Sequence, residues 1–170
     1  HYQVVAAHIA VENVAYEVDA DYVRQFCERL EVEFVHRTVN AEVTPDSKKP
    51  ACFVCSWNRR KALFEIAKEY GCNKLALGHH YDDAVETFLM SLLFEGRIGC
   101  FQPVTYLDRT DITQIRPLLY CQEPDIRRMA SKLALPVVKN TCPMDGHSRR
   151  QEVKELLAEL EQRYPNLKKK

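Results

Sequence analysis

The segment "GHHYDD", Gly78 to Asp83, sets two imidazoles and two carboxylates side by side between a strand-like apolar run, "KLAL", and a helix-like one. In an open parallel sheet, ligands sit outside the carboxyl ends of the strands, and this cluster falls at such an end. Asp82 and Asp83 open the next helix, where the helix dipole favours a carboxylate by about 0.3–1 kcal/mol. Each could therefore be a helix cap and nothing more, a reading that suits Asp82 better than Asp83. His79 and His80 could equally be hydrogen-bonded residues at a strand end. Glu86 and Thr87 follow one turn in, and Glu86 can bond back toward the helix start or toward a loop.

A second group is built from thiols. Cys52 and Cys55 form a CxxC ahead of a helical run, "SWNRRKALFEIA". Sulfurs at a helix N-terminus have lowered thiolate pKa values, which serves metal binding and redox chemistry alike. Far along the chain Cys142 lies in "VVKNTCPMDGHS", between a strand-like run and a capped helix, again at a ligand edge. Four cysteines close a structural metal site, whereas three leave a corner open for an outside ligand. His147 could fill that corner, although the open corner is the preferred reading. The competing view is three unrelated free thiols. Cys27, Cys72, Cys100 and Cys121 read as small buried or half-buried side chains. Arg59, Arg60 and Lys61 follow the CxxC, Arg116 precedes Pro117, and Arg149 and Arg150 begin the last helix. Taken singly each is an ordinary solvated charge; together, at loop ends near the cysteines, they resemble a phosphate-reading rim.

The elements that must position these groups alternate. "YQVVAAHI" and "VEFVHRTV" are β-branched runs of strand length, and "DYVRQFCERL" between them places Val23, Phe26, Cys27 and Leu30 at helical spacing. A helix over "KALFEIAKEY" and the strand "NKLAL" repeat the pattern. "DITQIRPLL" reads as a further strand, "EPDIRRMASKLAL" as a helix with Pro124 in its first turn, and "PVVK" as a short strand-like run. The last helix starts at Ser148, with Gln151 completing a capping box, and buries Val153, Leu156, Leu157 and Leu160. Such alternation predicts an α/β fold with a Rossmann-like, doubly wound parallel sheet covered on both faces. "NAEVTPDSKKPAC" and "EGRIGCFQPVTYLDRTD" fit neither element and read as long, functional loops. The lysines at 168 to 170 read as a solvated tail.

Composition narrows the field further. The chain has 170 residues, 46% of them hydrophobic, enough to close the core of one domain. Lys plus Arg balances Asp plus Glu at 24 each, so no global field draws it to nucleic acid, and a polyanion must be held by local patches. Seven cysteines, an odd and scattered set, suit a reducing compartment. There is no run of the roughly 18 apolar residues that a membrane span needs, and no secretory layout, so the expectation is a soluble, cytoplasmic protein away from membranes. No GxxxxGK or GxGxxG pattern occurs, so no phosphate cradle is visible.

The series "CFVCSWNRRKALFEIAKEYGCNKLALGHHYDDAVETFLMSLLFEG", "IRPLLY" and "NTCPMDGHSRRQEVKELLAELEQRYP" resembles the PP-loop ATPases that thiolate tRNA, in particular the tRNA 2-thiocytidine synthetases. The likeness runs from the first strand to about Pro165. It implies an ATP pyrophosphatase fold in which ATP adenylates a base oxygen before sulfur replaces it. On that resemblance Cys52, Cys55 and Cys142 would hold a [4Fe–4S] cluster with one iron free for sulfide, zinc being the alternative occupant. His8, Ile9, Arg59, Gly78, His79 and Asp83 would line the site for ATP and its Mg2+, with Asp83 catalytic alongside the cysteines. Arg60, Lys61, Arg149 and Arg150 would meet tRNA. A sulfur donor such as a cysteine desulfurase is implied, and a homodimer is compatible. The family's SGGxDS loop, which grips pyrophosphate and precedes the strand that opens this sequence, is not found. The expectation is a domain over 1–165 lacking that strand and loop, with a basic tail over 166–170, that binds ATP poorly. The alternatives are a tRNA(Ile)-lysidine synthetase-like ligase, which shares the "GHHYDDAVET" box but has no need of the cysteine trio, and a degenerate noncatalytic metal- or tRNA-binding module.

Overall fold

The computed structural model describes residues 2–12, 19–40, 50–135, 137, 142, 146 and 148–169. These group into two compact units, the first comprising His1–Leu75, Tyr106–Thr113 and Ala134–Pro143 and the second the remainder.

In the first unit, β1 (Val5–Val11) and β2 (Glu33–Val39) pair in parallel, with Val5 level with Glu33 and His8 level with His36. A parallel pair needs a crossover, supplied by α1 (Ala20–Arg29). Asp19 starts that helix by accepting the Tyr22 N–H at 2.9 Å. Side chains alternate across a strand, so the pair has two faces. Ile9, Val35 and Val39 meet Ala62, Leu63 and Ile66 of α2 (Ala51–Glu69) on one of them. The forked Arg37 guanidinium also grips Glu69 on α2 at 3.1 and 2.5 Å. On the other face α1 packs on β2, with Arg24 over the Phe34 ring at 5.5 Å and Cys27 buried. The pair is thus covered on both sides, as the alternating pattern predicts. α2 ends at Tyr70, and Gly71, at φ 63°, makes the left-handed turn toward β3 that a side chain would oppose.

β3 (Lys74–Ala76), β4 (Val104–Leu107) and β5 (Ile112–Ile115) form a sheet in the order β3-β5-β4. Thr113 N–H donates to Asn73 and Leu77 N–H to Ile115, both at 3.0 Å. These partners advance in the same sense, so β3 and β5 run parallel. β4 corrects the expectation of a long structureless loop over "EGRIGCFQPVTYLDRTD". Its four residues lie one short turn from β5, and such a connection makes a hairpin. That turn is closed by Asp111, at φ 55°, whose carboxylate accepts the Tyr106 hydroxyl at 2.9 Å.

The helices of the second unit are α3 (Tyr81–Glu95), α4 (Glu123–Lys132) and α5 (Arg149–Arg163). α4 carries Pro124 in its first turn as predicted; it buries no residue and pairs its own charges, Arg127 with Glu123 and Arg128 with Asp125. Ser148 caps α5 by accepting the Gln151 N–H at 3.3 Å, but the Gln151 amide donates to Glu155 at 3.0 Å, so only half of the expected capping box forms. Val153 and Leu157 are buried by α5, whereas Leu156, expected inside, is exposed. Residues 167–169 form a 3-10 turn. Lys168 there bonds Asp82 at 2.8 Å and its carbonyl accepts the Tyr81 hydroxyl, so it is no solvated tail residue. The "PVVK" run, Val137 excepted, residues 41–49 of the first predicted loop, and His147 lie outside the described residues. Among the described residues no helix is long and apolar enough to cross a membrane.

Candidate functional site

Each unit carries one group of the predicted residues. In the first, Pro50 precedes α2, so Cys52 lies in the first helical turn and Cys55 in the next. Spaced by three, they share one side of the helix. The Cys55 thiol is pushed up from its ordinary pKa, first by burial and then by Cys142 and Cys52, with Arg59 pulling the other way. The lowered value expected at a helix start is therefore not what Cys55 has, because desolvation and its own neighbours outweigh the helix and the arginine. These interactions bring Cys52, Cys55, Cys142 and Arg59 into one electrostatic neighbourhood. Among the described residues no three donors stand ready-made at metal-binding distances. Of the other cysteines, Cys27 is buried and Cys72 half-buried as expected; Cys100 and Cys121 are exposed, against expectation.

Arg59 also reaches His8. Burial, then His36, then Arg59 hold the His8 imidazole below its ordinary pKa. The His8 and His36 rings stack at 5.1 Å with their Nδ1 atoms 3.2 Å apart, so one of the two nitrogens carries the shared proton. His36 escaped the sequence reading because only the strand register brings it opposite His8. The Ile9 side chain is in the core, so it offers a ligand no side-chain contact.

In the second unit His80 caps α3 and Asp83 closes a capping box with it. His80 Nδ1 accepts the Asp83 N–H at 3.4 Å, and Asp83 Oδ2 accepts the His80 N–H at 3.0 Å. An accepting Nδ1 puts the ring proton on Nε2, which stands 3.5 Å from Asp83 Oδ2. The capping carboxylate is thus Asp83 and not Asp82. Asp82 is buried and accepts the Glu123 N–H at the start of α4 and the Lys168 ammonium, both at 2.8 Å. Burial raises its pKa, yet these two partners and His80 hold it below the ordinary carboxylate value. Gly78 precedes this cap in open space, since a Cβ there would meet nothing within 4 Å, so packing does not demand a glycine. The His79 ring lies 4.9 Å from Phe101, and the Arg116 guanidinium lies over the same Phe101 at 4.7 Å.

Glu86, its side chain only 3% exposed, meets Arg150 at 2.8 Å and Lys154 at 3.6 Å. Arg150 also stands 3.5 Å from Asp83 and donates to the Thr87 hydroxyl at 3.2 Å. So of the four basic residues expected on an RNA surface, Arg150, its side chain 38% exposed, is engaged by carboxylates of α3. Arg60 and Lys61 are exposed, as is Arg149, which lies over Phe94 at 4.9 Å. Lys154 and Lys168 had no sequence signal of their own: helical spacing placed neither opposite an acid on α3.

The PP-loop domain family matches residues 2–161. The chain belongs to that family, and its α/β fold with parallel strands is of the PP-loop ATPase type. It is 34% identical over 171 residues to a tRNA-cytidine(32) 2-sulfurtransferase of Geobacter metallireducens, covering 98% of this chain and 60% of the relative. With the protein of the same name from Dechloromonas aromatica the identity is 36% over 153 residues, covering 86% and 53%. The chain thus spans a little over half the length of these curated relatives. Among solved structures, the U34-tRNA thiolase NcsA from Methanococcus maripaludis with its [4Fe-4S] cluster superimposes with a TM-score of 0.77 at 26% identity, over 98% of this chain and 59% of that one.

Proposed function

We propose that the protein is an ATP-dependent tRNA sulfurtransferase that converts a cytidine, at position 32 by analogy with its relatives, to 2-thiocytidine. The observation that carries the proposal is the convergence of Cys52, Cys55 and Cys142 with Arg59 in a PP-loop chain. A lysidine ligase of this fold has no use for three thiols.

The donor set suits a [4Fe–4S] cluster. Cys142 and Cys52 each oppose ionisation of Cys55, and a cationic centre would relieve that repulsion while replacing the thiol protons. Cys52, Cys55 and Cys142 would hold it, and it would supply an iron without a protein ligand at which sulfide can be carried. The protein's own part is positioning. In the first unit His8 and Ile9 are the residues proposed for the adenine and Arg59 for the phosphates; in the second, Gly78 and His79 are those proposed for the nucleotide. Asp83, fixed by its capping bonds, would hold Mg2+ against the phosphates with its remaining oxygen capacity. The base oxygen attacks the α-phosphorus and the bond to pyrophosphate breaks. Sulfide then adds at the base C2, and the C2–O bond breaks with AMP as leaving group; where the sulfur arrives as the persulfide of a donor such as a cysteine desulfurase, a thiol reductant must first release it as sulfide.

The test is anaerobic incubation of the protein with iron, sulfide, lysine, Mg-ATP and tRNA, followed by nucleoside mass spectrometry and AMP measurement. The expected result is 2-thiocytidine with one AMP released for each. AMP release with lysidine and no thionucleoside would replace this reading by the ligase. tRNA binding with neither product would make the chain a binding module.

A further inference from the structure

We propose that the outward side of α2 and the β4–β5 turn form a docking groove for an unpaired nucleotide of the tRNA, with Trp57 as its stacking platform. The groove, of about 450 Å³, is lined by Trp57, Arg60, Lys61, Phe64, Lys68 and Arg109, together with Glu65 and Thr110. Trp57, Arg60, Lys61, Phe64 and Lys68 recur at helical spacing, so they share one side of α2. At about 3.6 residues per turn that side lies opposite Cys52, Cys55 and Arg59, which run with the buried Ala62 and Ile66. The groove is therefore separate from the thiol group.

Its chemistry selects the ligand. Four cations face one carboxylate, Glu65, which stands 3.8 Å from Lys61, in a protein with no net charge. Such a local excess supplies the phosphate contacts that the whole molecule does not. Trp57 is 55% exposed, with the Lys61 ammonium 5.8 Å from its ring centroid, and Phe64 lines the same wall. Exposed aromatic surface flanked by Lys and Arg is what stacks bases while holding the backbone. Stacking on Trp57 needs an unpaired base, since a duplex keeps the base faces covered. This inference rests on the proposed tRNA substrate and adds where part of it is held.

Trp57 is the only tryptophan, so its fluorescence reports the groove alone. Titration with a single-stranded oligouridylate should quench it to saturation, and tRNA should compete. Trp57→Leu should weaken tRNA binding about 5- to 150-fold, with Trp57→Phe restoring most of it. Lys68→Gln together with Arg109→Gln should flatten the log–log salt dependence by about 1.4, two contacts at about 0.7 each. Unchanged tRNA affinity and salt slope in these variants, with tRNA still bound and thiolated, would overturn the groove and leave the proposed function intact. Saturable quenching by the oligonucleotide without any thiolation would do the reverse. Quenching by an acidic peptide but not by RNA would make the groove a protein-docking surface and overturn the proposal.

Discussion

Asp83 meets two demands with one carboxylate, since it caps α3 and is the residue proposed to hold the metal of ATP. Asparagine keeps an oxygen for the His80 N–H but loses the charge, so the two demands separate. Asp83→Asn should cost at most about 1 kcal/mol of stability, from the helix dipole and the half-exposed Arg150 pair, while ATP-dependent AMP formation is abolished. A thermal melt and an AMP assay on one preparation test this; full activity would leave the residue a cap only. At the thiol group, Cys142→Ala removes one of the neighbours that oppose ionisation of Cys55, and iron and sulfide after anaerobic reconstitution should fall well below the unaltered protein's content. Unchanged content would take Cys142 out of the site. The sequence marked these residues because of their types and spacing. It could not divide the work between adjacent Asp82 and Asp83, because the partners that decide it, Glu123 and Lys168, lie 41 and 86 residues away.

Between elements, α5 and the 3-10 turn hold α3 through charge. Arg150 and Lys154 neutralise Glu86, and Lys168 neutralises Asp82. Lys168→Ala leaves a buried carboxylate with only its backbone donor and should destabilise by about 1–3 kcal/mol. Its pH profile carries the signature. Asp82 has a lowered folded pKa, so its contribution is intact above the ordinary value of about 3.9 and is lost as pH falls through the folded value. Burial pulls Lys168 down, yet Asp82 raises it overall, so its contribution is intact below about 10.4 and is lost as pH rises through the raised value. In urea melts the gap between the unaltered protein and Lys168→Ala should stay constant across neutral pH and close beyond those limits; a gap that varies near pH 7 would assign the effect elsewhere. Arg150→Gln should likewise cost about 1–3 kcal/mol by stranding Glu86 beside Lys154 alone. Most of these elements were legible, since β-branched runs, helical spacing and the prolines and serine at helix starts are local signals. β4 is hard to read from sequence although "VTYL" and "ITQI" flank a four-residue turn, because the glycines and proline just before it are loop signals and four residues are too few to outweigh them.

For the whole molecule, charge balance means that tRNA affinity must come from a few groups. Arg60, Lys61, Lys68, Arg109 and Arg149 are exposed, and Arg150 is engaged by Glu86 and Asp83. Five contacts at about 0.7 to 0.9 each give a log–log salt slope of at most about 3.5 to 4.5. Affinity should then fall no more than about 100- to 500-fold between about 50 and about 200 mM salt, and Arg150→Gln should leave the slope unchanged. A flatter line in Arg150→Gln would show that the arginine leaves Glu86 for RNA. The two sides of α2 have an evolutionary consequence. One side of that cylinder bears thiols and core, the other cations and aromatics, so few of its positions can drift without touching one task or the other. α4 buries nothing and, beyond the Glu123 end that meets Asp82 and Lys154, pairs its charges along its own length, so most of it has no such double commitment. A library of all single substitutions, selected for thiolated tRNA, should therefore show a nearly closed stretch from Cys52 to Lys68 and a permissive one from Arg127 to Lys132.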